Sequence, residues 1–500
     1  MLPPEDRLVG AQLHRYIRDE LYWVLHAPRQ TGKTTFLQSW MREINAGNEA
    51  LACYVSVERC QELTEIERAM PALCEAIRVY AQRENLPVPE LTTIEPASML
   101  DNILGNWAVL IAPKPLVVLF DEVDVLHGEA MISFLRQLRG GFATRGAGKF
   151  PTSIALVGMR DLKDYITKSK DSIAPNPGSP FNIKEDSAVI SNFSKENIVH
   201  LFAQRTEETG QKITDEALEY VWEQAKGQPW LVNSLFKRAT MRILDEDSNE
   251  TVTIDHIKQA RQQIILARET HLDSLAYRLD DAGVKKIIEL LISGEANTDL
   301  ADTEAFQKAL DMGLVVVEHS TPQVANPIYR EVLARQMTYS TQLAIQGLEW
   351  KWEKDDGSLD MDRLLKEFQK FWRRHSEVWE ERSKYTEAFP HLLLMAFLQR
   401  VLNGGGNIER EYAAGRGRMD LLVEYKEFKY IIEIKLIHYY ESEQIVREEG
   451  LEQIVKYRDK MGASIPSYLL IFDRRNADKK KPWEERLTWE TVDGITVIGV

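Results

Sequence analysis

The stretch YWVLHAPRQTGKTTFLQSW, residues 22 to 40, decides how the chain is read. A loop that holds nucleotide phosphates needs a strand, a turn with inward-facing N–H groups, a lysine, and a hydroxyl for magnesium. The apolar run LYWVL supplies the strand. Ala27, Pro28, Arg29, Gln30 and Thr31 form the turn, and Gly32 lets backbone approach phosphate. Lys33 brings the charge, Thr34 the magnesium ligand, and Thr35 continues into a helix whose dipole favours an anion at its start. Such loops usually begin with glycine, and position 27 is alanine. One added methyl is tolerable if that residue's φ is negative, so the departure bears on loop geometry and leaves the Lys33 chemistry intact.

Some 85 residues on, PLVVLFDEVD reads as a strand buried on both faces that ends in Asp121 and Glu122. Asp121 can hold magnesium through water and Glu122 can polarise the attacking water. The bland reading is a core strand with a solvated acidic end. The two halves in this order resemble P-loop ATPases of the AAA-like and STAND type, and in particular bacterial AAA-like proteins whose loop reads APRQTGKT. The resemblance implies ATP and Mg²⁺ as cofactors. It also makes SIALVGMRDLKDY (153–165) the next strand, with Arg160 placed to sense the γ-phosphate, and 179–198 the link into a helical lid. AKGQPWLVNSL (225–235) would be the Gly-x-Pro motif, Gly227 and Pro229 shaping a helix start near the nucleotide.

Further out, 500 residues with 44% hydrophobic and 28% charged content describe a multi-domain globular chain. No apolar run reaches the length of a membrane span and MLPPEDRLVG lacks signal-peptide character, so the expectation is a cytoplasmic protein with no membrane partner. The three cysteines, Cys53, Cys60 and Cys74, have neither zinc nor disulfide spacing and read as buried apolar residues. A formal charge of −15 argues against non-specific coating of nucleic acid, although 381–500 is nearly balanced. Past 266 two amphipathic helices and two short β-like runs around a Ser-Thr-Pro turn resemble the winged helix that follows the lid in these ATPases. Few basic residues near Ala305 to Leu310 favour packing or switching there over DNA reading. Residues 341–386 read as a helical connector with inward aromatics.

The second informative stretch is GRGRMDLLVEYKEFKYIIEIKLIHYY, 415–440. It reads as a hairpin, and Glu433 and Lys435, two apart, project from one face of its second strand. Asp420 on the partner strand can meet them across the ladder. Two carboxylates bind a divalent cation and the lysine can orient or deprotonate a water for phosphodiester attack. An ordinary exposed hairpin with a salt bridge is the bland reading. The set resembles the PD-(D/E)xK nuclease superfamily, with Met419 in place of the motif's proline. By that resemblance Glu387 is an additional acidic ligand, and Gln453 and Tyr457, on one helical face, match the QxxxY signature of RecB-like and resolvase-like nucleases.

The expected architecture is therefore α/β and multi-domain: an ATPase core (1–175), a helical lid (176–270), a winged-helix-like domain (271–340), a connector (341–380) and an α/β restriction-endonuclease-like domain (381–500). The resemblance implies an ATP-regulated DNA nuclease using Mg²⁺ or Mn²⁺, of the kind found in bacterial defence or DNA processing. The alternative is an ATP-dependent switch or scaffold whose nuclease-like domain binds without cutting. Neither an oligomeric state nor a protein partner follows from the sequence.

Overall fold

The protein is seen here as a computed structural model that describes residues 7–9, 13–92, 94–143, 145, 148–159, 186–266, 275, 279–293, 303–344, 352–382, 390, 393–395, 397–398, 406–414, 417–437, 442–473 and 482–500. Among them no helix is long and apolar enough to cross a membrane. Two compact units form.

The first unit comprises Met1–Thr270, Glu304–Glu318 and Ala325–Tyr329. Its sheet has the order β1-β6-β2-β5-β4-β3, from β1 (Leu8–Val9), β2 (Tyr22–His26), β3 (Leu51–Ser56), β4 (Leu116–Asp121), β5 (Ser153–Gly158) and β6 (Asp186–Ile190). All neighbours are parallel except β1 with β6. Every residue of β4 is buried, which explains its unbroken apolar run. Cys53, Val55, Val118 and Phe120 pack on one side of the sheet among residues of three helices, and Ala52, Tyr54, Val117 and Leu119 on the other. The three cysteines are buried. Residues 186–190, read from sequence as part of the link into the lid, instead pair with β2 and carry the sheet one strand further. The helices α1 (Lys195–Thr209), α2 (Asp215–Ala225), α3 (Pro229–Arg238) and α4 (Ile254–Leu266) follow, α1 opened by a Ser194 and Asn197 capping box.

Between 271 and 340 the elements run in the expected order: helices Ala282–Ser293 and Glu304–Asp311, strands β7 (Val315–Glu318) and β8 (Thr321–Val324), and helix Pro327–Ala344. This segment is shared between the two units.

The second unit's sheet runs β13-β14-β12-β11-β10-β9. Its strands are β9 (Gly406–Ala414), β10 (Gly417–Tyr425), β11 (Phe428–Ile437), β12 (Ser467–Asp473), β13 (Trp489–Val492) and β14 (Ile495–Gly499). Strands β11, β12 and β14 are parallel, and the outer pairings are antiparallel. The expected hairpin is present as β10 and β11, turning at Lys426 in the left-handed region (φ 54). Within the connector expected at 341–380, the helix that begins at Met361 packs as a layer of this unit. Helix α5 (Met361–Arg382) buries Leu364, Leu365 and Phe368 at helical spacing, and Phe472 of β12 meets Phe368 at 6.2 Å and Trp372 at 4.9 Å between ring centres. Gln369 Nε2 donates to Gly499 O at 2.6 Å. The sheet's opposite face is covered by α6 (Glu443–Met461).

Candidate functional site

The loop 27–32 joins the C-terminal end of β2 to the helix Lys33–Gly47, where a parallel sheet presents its ligand crevice. Ala27 is buried, and it is absent from the residues with positive φ, so its methyl fits without strain. Positive φ falls instead on Gln30 (59°) and Gly32 (91°), the latter capping the helix. Arg29, Gln30, Thr34 and Thr35 are exposed, and Thr31 is buried with its hydroxyl donating to Pro28 O. Lys33 turns its ammonium into the loop and donates to Ala27 O (2.6 Å) and Pro28 O (2.9 Å). Burial pushes its pKa down to about 8, against the opposing pull of Asp121 and Asp124.

One strand, β5, separates β2 from β4, whose end brings Asp121 to the loop. Asp121 Oδ2 accepts from Thr34 Oγ1 (2.6 Å) and Tyr54 OH (3.1 Å), and Oδ1 accepts from Glu122 N (2.9 Å). Burial still raises its pKa. Glu122, left-handed at φ 62, accepts from Ser56 Oγ at 2.9 Å, and burial, with Asp121 nearby, raises its pKa in the direction that suits a base. Thr34 and Asp121 thus place two hard oxygen ligands together, a donor set that fits magnesium. Tyr54 and Ser56 were not singled out from sequence. Their signal is the alternation of LACYVS, which sends both hydroxyls to one side at the end of the strand beside Asp121.

Gly227 sits at φ 72, and a Cβ there would come within 2.0 Å of Phe193 O. Pro229 opens α3, and Gln228 between them caps that helix through Leu231 N (2.6 Å) and reaches Gln30 O at 3.4 Å. The motif therefore does touch the phosphate loop, through its middle residue. Arg160 lies outside the described residues.

In the second unit, Ile431, Ile437, Leu422, Ile454 and Tyr457 share the layer between sheet and α6. Strand alternation puts Glu433 and Lys435 in that same layer. Glu433 is 2% exposed and lies 3.3 Å from the Lys435 ammonium. Gly450 explains how α6 comes so close: a Cβ there would stand 2.6 Å from Leu469 and 3.2 Å from Lys435 Cγ. Gln453, three residues on along the same helix face, keeps its buried Oε1 without a hydrogen-bond donor among the described residues. A buried acceptor left so, on the helix that covers the layer of Glu433, fits a cation or its water. Asp420 precedes Leu421, which pairs with Ile432, so its strand position is next to that of Glu433; its side chain and the whole of Glu387 lie outside the described residues. Among the described residues no three His, Cys, Asp or Glu side chains cluster as a metal site.

Residues 385–471 match the PD-(D/E)XK nuclease superfamily. No curated protein matches the chain. Solved structures similar to it include a Walker-type ATPase of Pyrococcus abyssi, at 16% identity and TM-score 0.45 over 65% of this chain and 96% of that one. The ORC2 protein of Aeropyrum pernix (12%, TM-score 0.41, 66% and 91%) and the RuvB Holliday junction branch migration motor of Thermotoga maritima (15%, TM-score 0.35, 62% and 87%) are also similar. One chain thus carries a largely parallel sheet with a phosphate-loop-like turn and, at 385–471, a segment that matches the PD-(D/E)XK nuclease superfamily.

Proposed function

We propose that the protein is an ATP-regulated, divalent-metal-dependent nuclease acting on DNA. The observation that carries the nuclease half is Glu433 and Lys435, charged side chains side by side in an apolar layer, under a helix that adds an unsatisfied acceptor from Gln453. Burying such groups costs several kcal/mol, and a cation site is the use that offsets it. At each site a bound Mg²⁺ or Mn²⁺ would neutralise phosphate charge and lower the pKa of its water. In the ATPase half, Lys33 would exchange its two carbonyl acceptors for phosphate oxygens, Thr34 and Asp121 would hold the ion, and Glu122 would take the proton of the attacking water. In the C-terminal half, Asp420, Glu433 and Gln453 would hold the ion and Lys435 would orient the water, with Tyr457 packed behind. The settings of bacterial defence or DNA processing rest on the sequence resemblance.

The test is cleavage of single-stranded, double-stranded and branched DNA, and of RNA, with Mg²⁺ or Mn²⁺, with and without ATP. Metal-dependent cutting of DNA that responds to ATP is the expected result. Binding without cutting under every condition would favour a switch or scaffold instead.

A further inference from the structure

We propose that Arg7 couples nucleotide occupancy of the phosphate loop to the hinge of the helical lid. The inference rests on the nucleotide-site reading above. Arg7 lies just before β1, outside every motif read from the sequence. Its Nη2 donates to Thr31 O in the loop (2.6 Å) and to Ser191 O (2.7 Å), Nε donates to Ser191 O (3.1 Å), and the guanidinium stands 4.6 Å from the centre of the Phe193 ring. Its own carbonyl accepts from Ser191 N and Oγ. One side chain thus bridges the loop to residues 191–193, which lead directly into α1.

The charge on Arg7 meets no carboxylate among the described residues. Its pKa falls to about 10, with burial the cause. The remaining arm, Nη1, makes no hydrogen bond among the described residues and sits against Gly32, where a Cβ would stand 3.3 Å from it. Gly32 caps a helix whose start is already positive, so a poorly solvated cation is held beside it without a counter-charge. A triphosphate in the loop provides that counter-charge and an acceptor. The hinge transmits the result: Phe193 N donates to Gly227 O at 2.8 Å, and the absent Cβ of Gly227 is what allows Phe193 O so near. Gln228 then returns to the loop at Gln30, which closes a ring of contacts from loop to hinge to lid and back. None of this is visible in a motif, since Arg7 and Ser191 are 184 residues apart.

The experiment uses the full chain with ATP as probe, reading affinity by calorimetry and hydrogen exchange at residues 191–193 and 226–231. Wild type should gain protection at both segments on adding ATP. Arg7→Gln, which retains a donor for one carbonyl but no charge, should bind ATP about tenfold more weakly and lose that gain in protection. Arg7→Lys, which restores charge without the planar fork, should recover most of the affinity and little of the protection. Unchanged affinity and unchanged protection in Arg7→Gln would overturn the proposal. So would weaker binding with the protection intact, because Arg7 would then be a phosphate contact alone. If wild type binds no ATP, or Lys33→Ala binds as well as wild type, the nucleotide-site reading itself has failed.

Discussion

The two candidate sites hold their lysines differently. Lys33 rests on two backbone carbonyls, neutral groups that a phosphate can replace at little cost, and the carboxylate nearby, Asp121, is occupied by Thr34, Tyr54 and the backbone of Glu122. Lys435 rests on Glu433, the carboxylate a cation would need. A ligand therefore adds to the first arrangement and competes with the second. On the proposed reading, the first site would accept an anion as it stands, and the second would have to give up part of an ion pair to take a cation.

Substitutions in the second site should break this contrast most sharply. Asp420→Ala and Glu433→Ala should each lower metal-dependent cutting by about 10²-fold or more while circular dichroism stays native. Lys435→Ala should also abolish cutting, yet bind Mn²⁺ as tightly as wild type or more so in calorimetry, because the competing charge is gone. ATP turnover should persist in all three. A Lys435→Ala protein that loses Mn²⁺ would show that the lysine supports the cation site instead of competing with it.

The next effect in size belongs to the first site. Lys33→Ala removes a charge-assisted contact of about 1.5–3 kcal/mol, so ATP affinity should fall roughly tenfold to 150-fold. Titration of nucleotide is the measurement, and equal affinity would show that this lysine does not face the phosphates.

The lowered pKa of Lys33 gives a smaller, graded effect. Nucleotide favours the protonated amine, and the free protein loses that proton as pH rises through about 8. Affinity should therefore be steady below pH 7 and weaken about tenfold by pH 9, with proton uptake on binding detectable in calorimetry across buffers of different ionisation enthalpy. Lys33→Ala should flatten the profile.

The smallest effect is expected at the loop's unusual corner. Ala27 has negative φ and a buried methyl, so Ala27→Gly should cost about 0.5–1 kcal/mol of stability in urea and leave ATP affinity within about twofold. A large loss of affinity would mean the methyl helps shape the loop.

The contrast also explains what the sequence could reveal. Lys33 and Thr34 follow their strand directly, and Asp121 ends another whose burial on both faces leaves an unmistakable apolar run, so chain order alone identifies them. Glu433 and Lys435 are legible from strand period, and the close approach of α6 to Lys435 depends on Gly450, a glycine inside a helix that spacing alone does not explain. Tyr54, Ser56, Gln228 and Arg7 reach the first site only through strand order and a hinge, which are tertiary facts. Helix α5 read as a connector because its charged outer face dominates its composition; the apolar stripe needs a sheet to cover before its role is apparent.

The antiparallel pairing of β1 with β6 has a consequence in time. Leu8 and Val9 are made well before their partners Ile190 and Val189, which belong to the last strand of the sheet in chain order. At roughly 5–20 residues per second, the 184-residue gap between Arg7 and Ser191 corresponds to a wait of about 10–40 s on the ribosome. Until then β2, the strand that leads into the phosphate loop, has an open edge. The candidate phosphate loop is therefore made well before the strand that leads into it is closed on both edges.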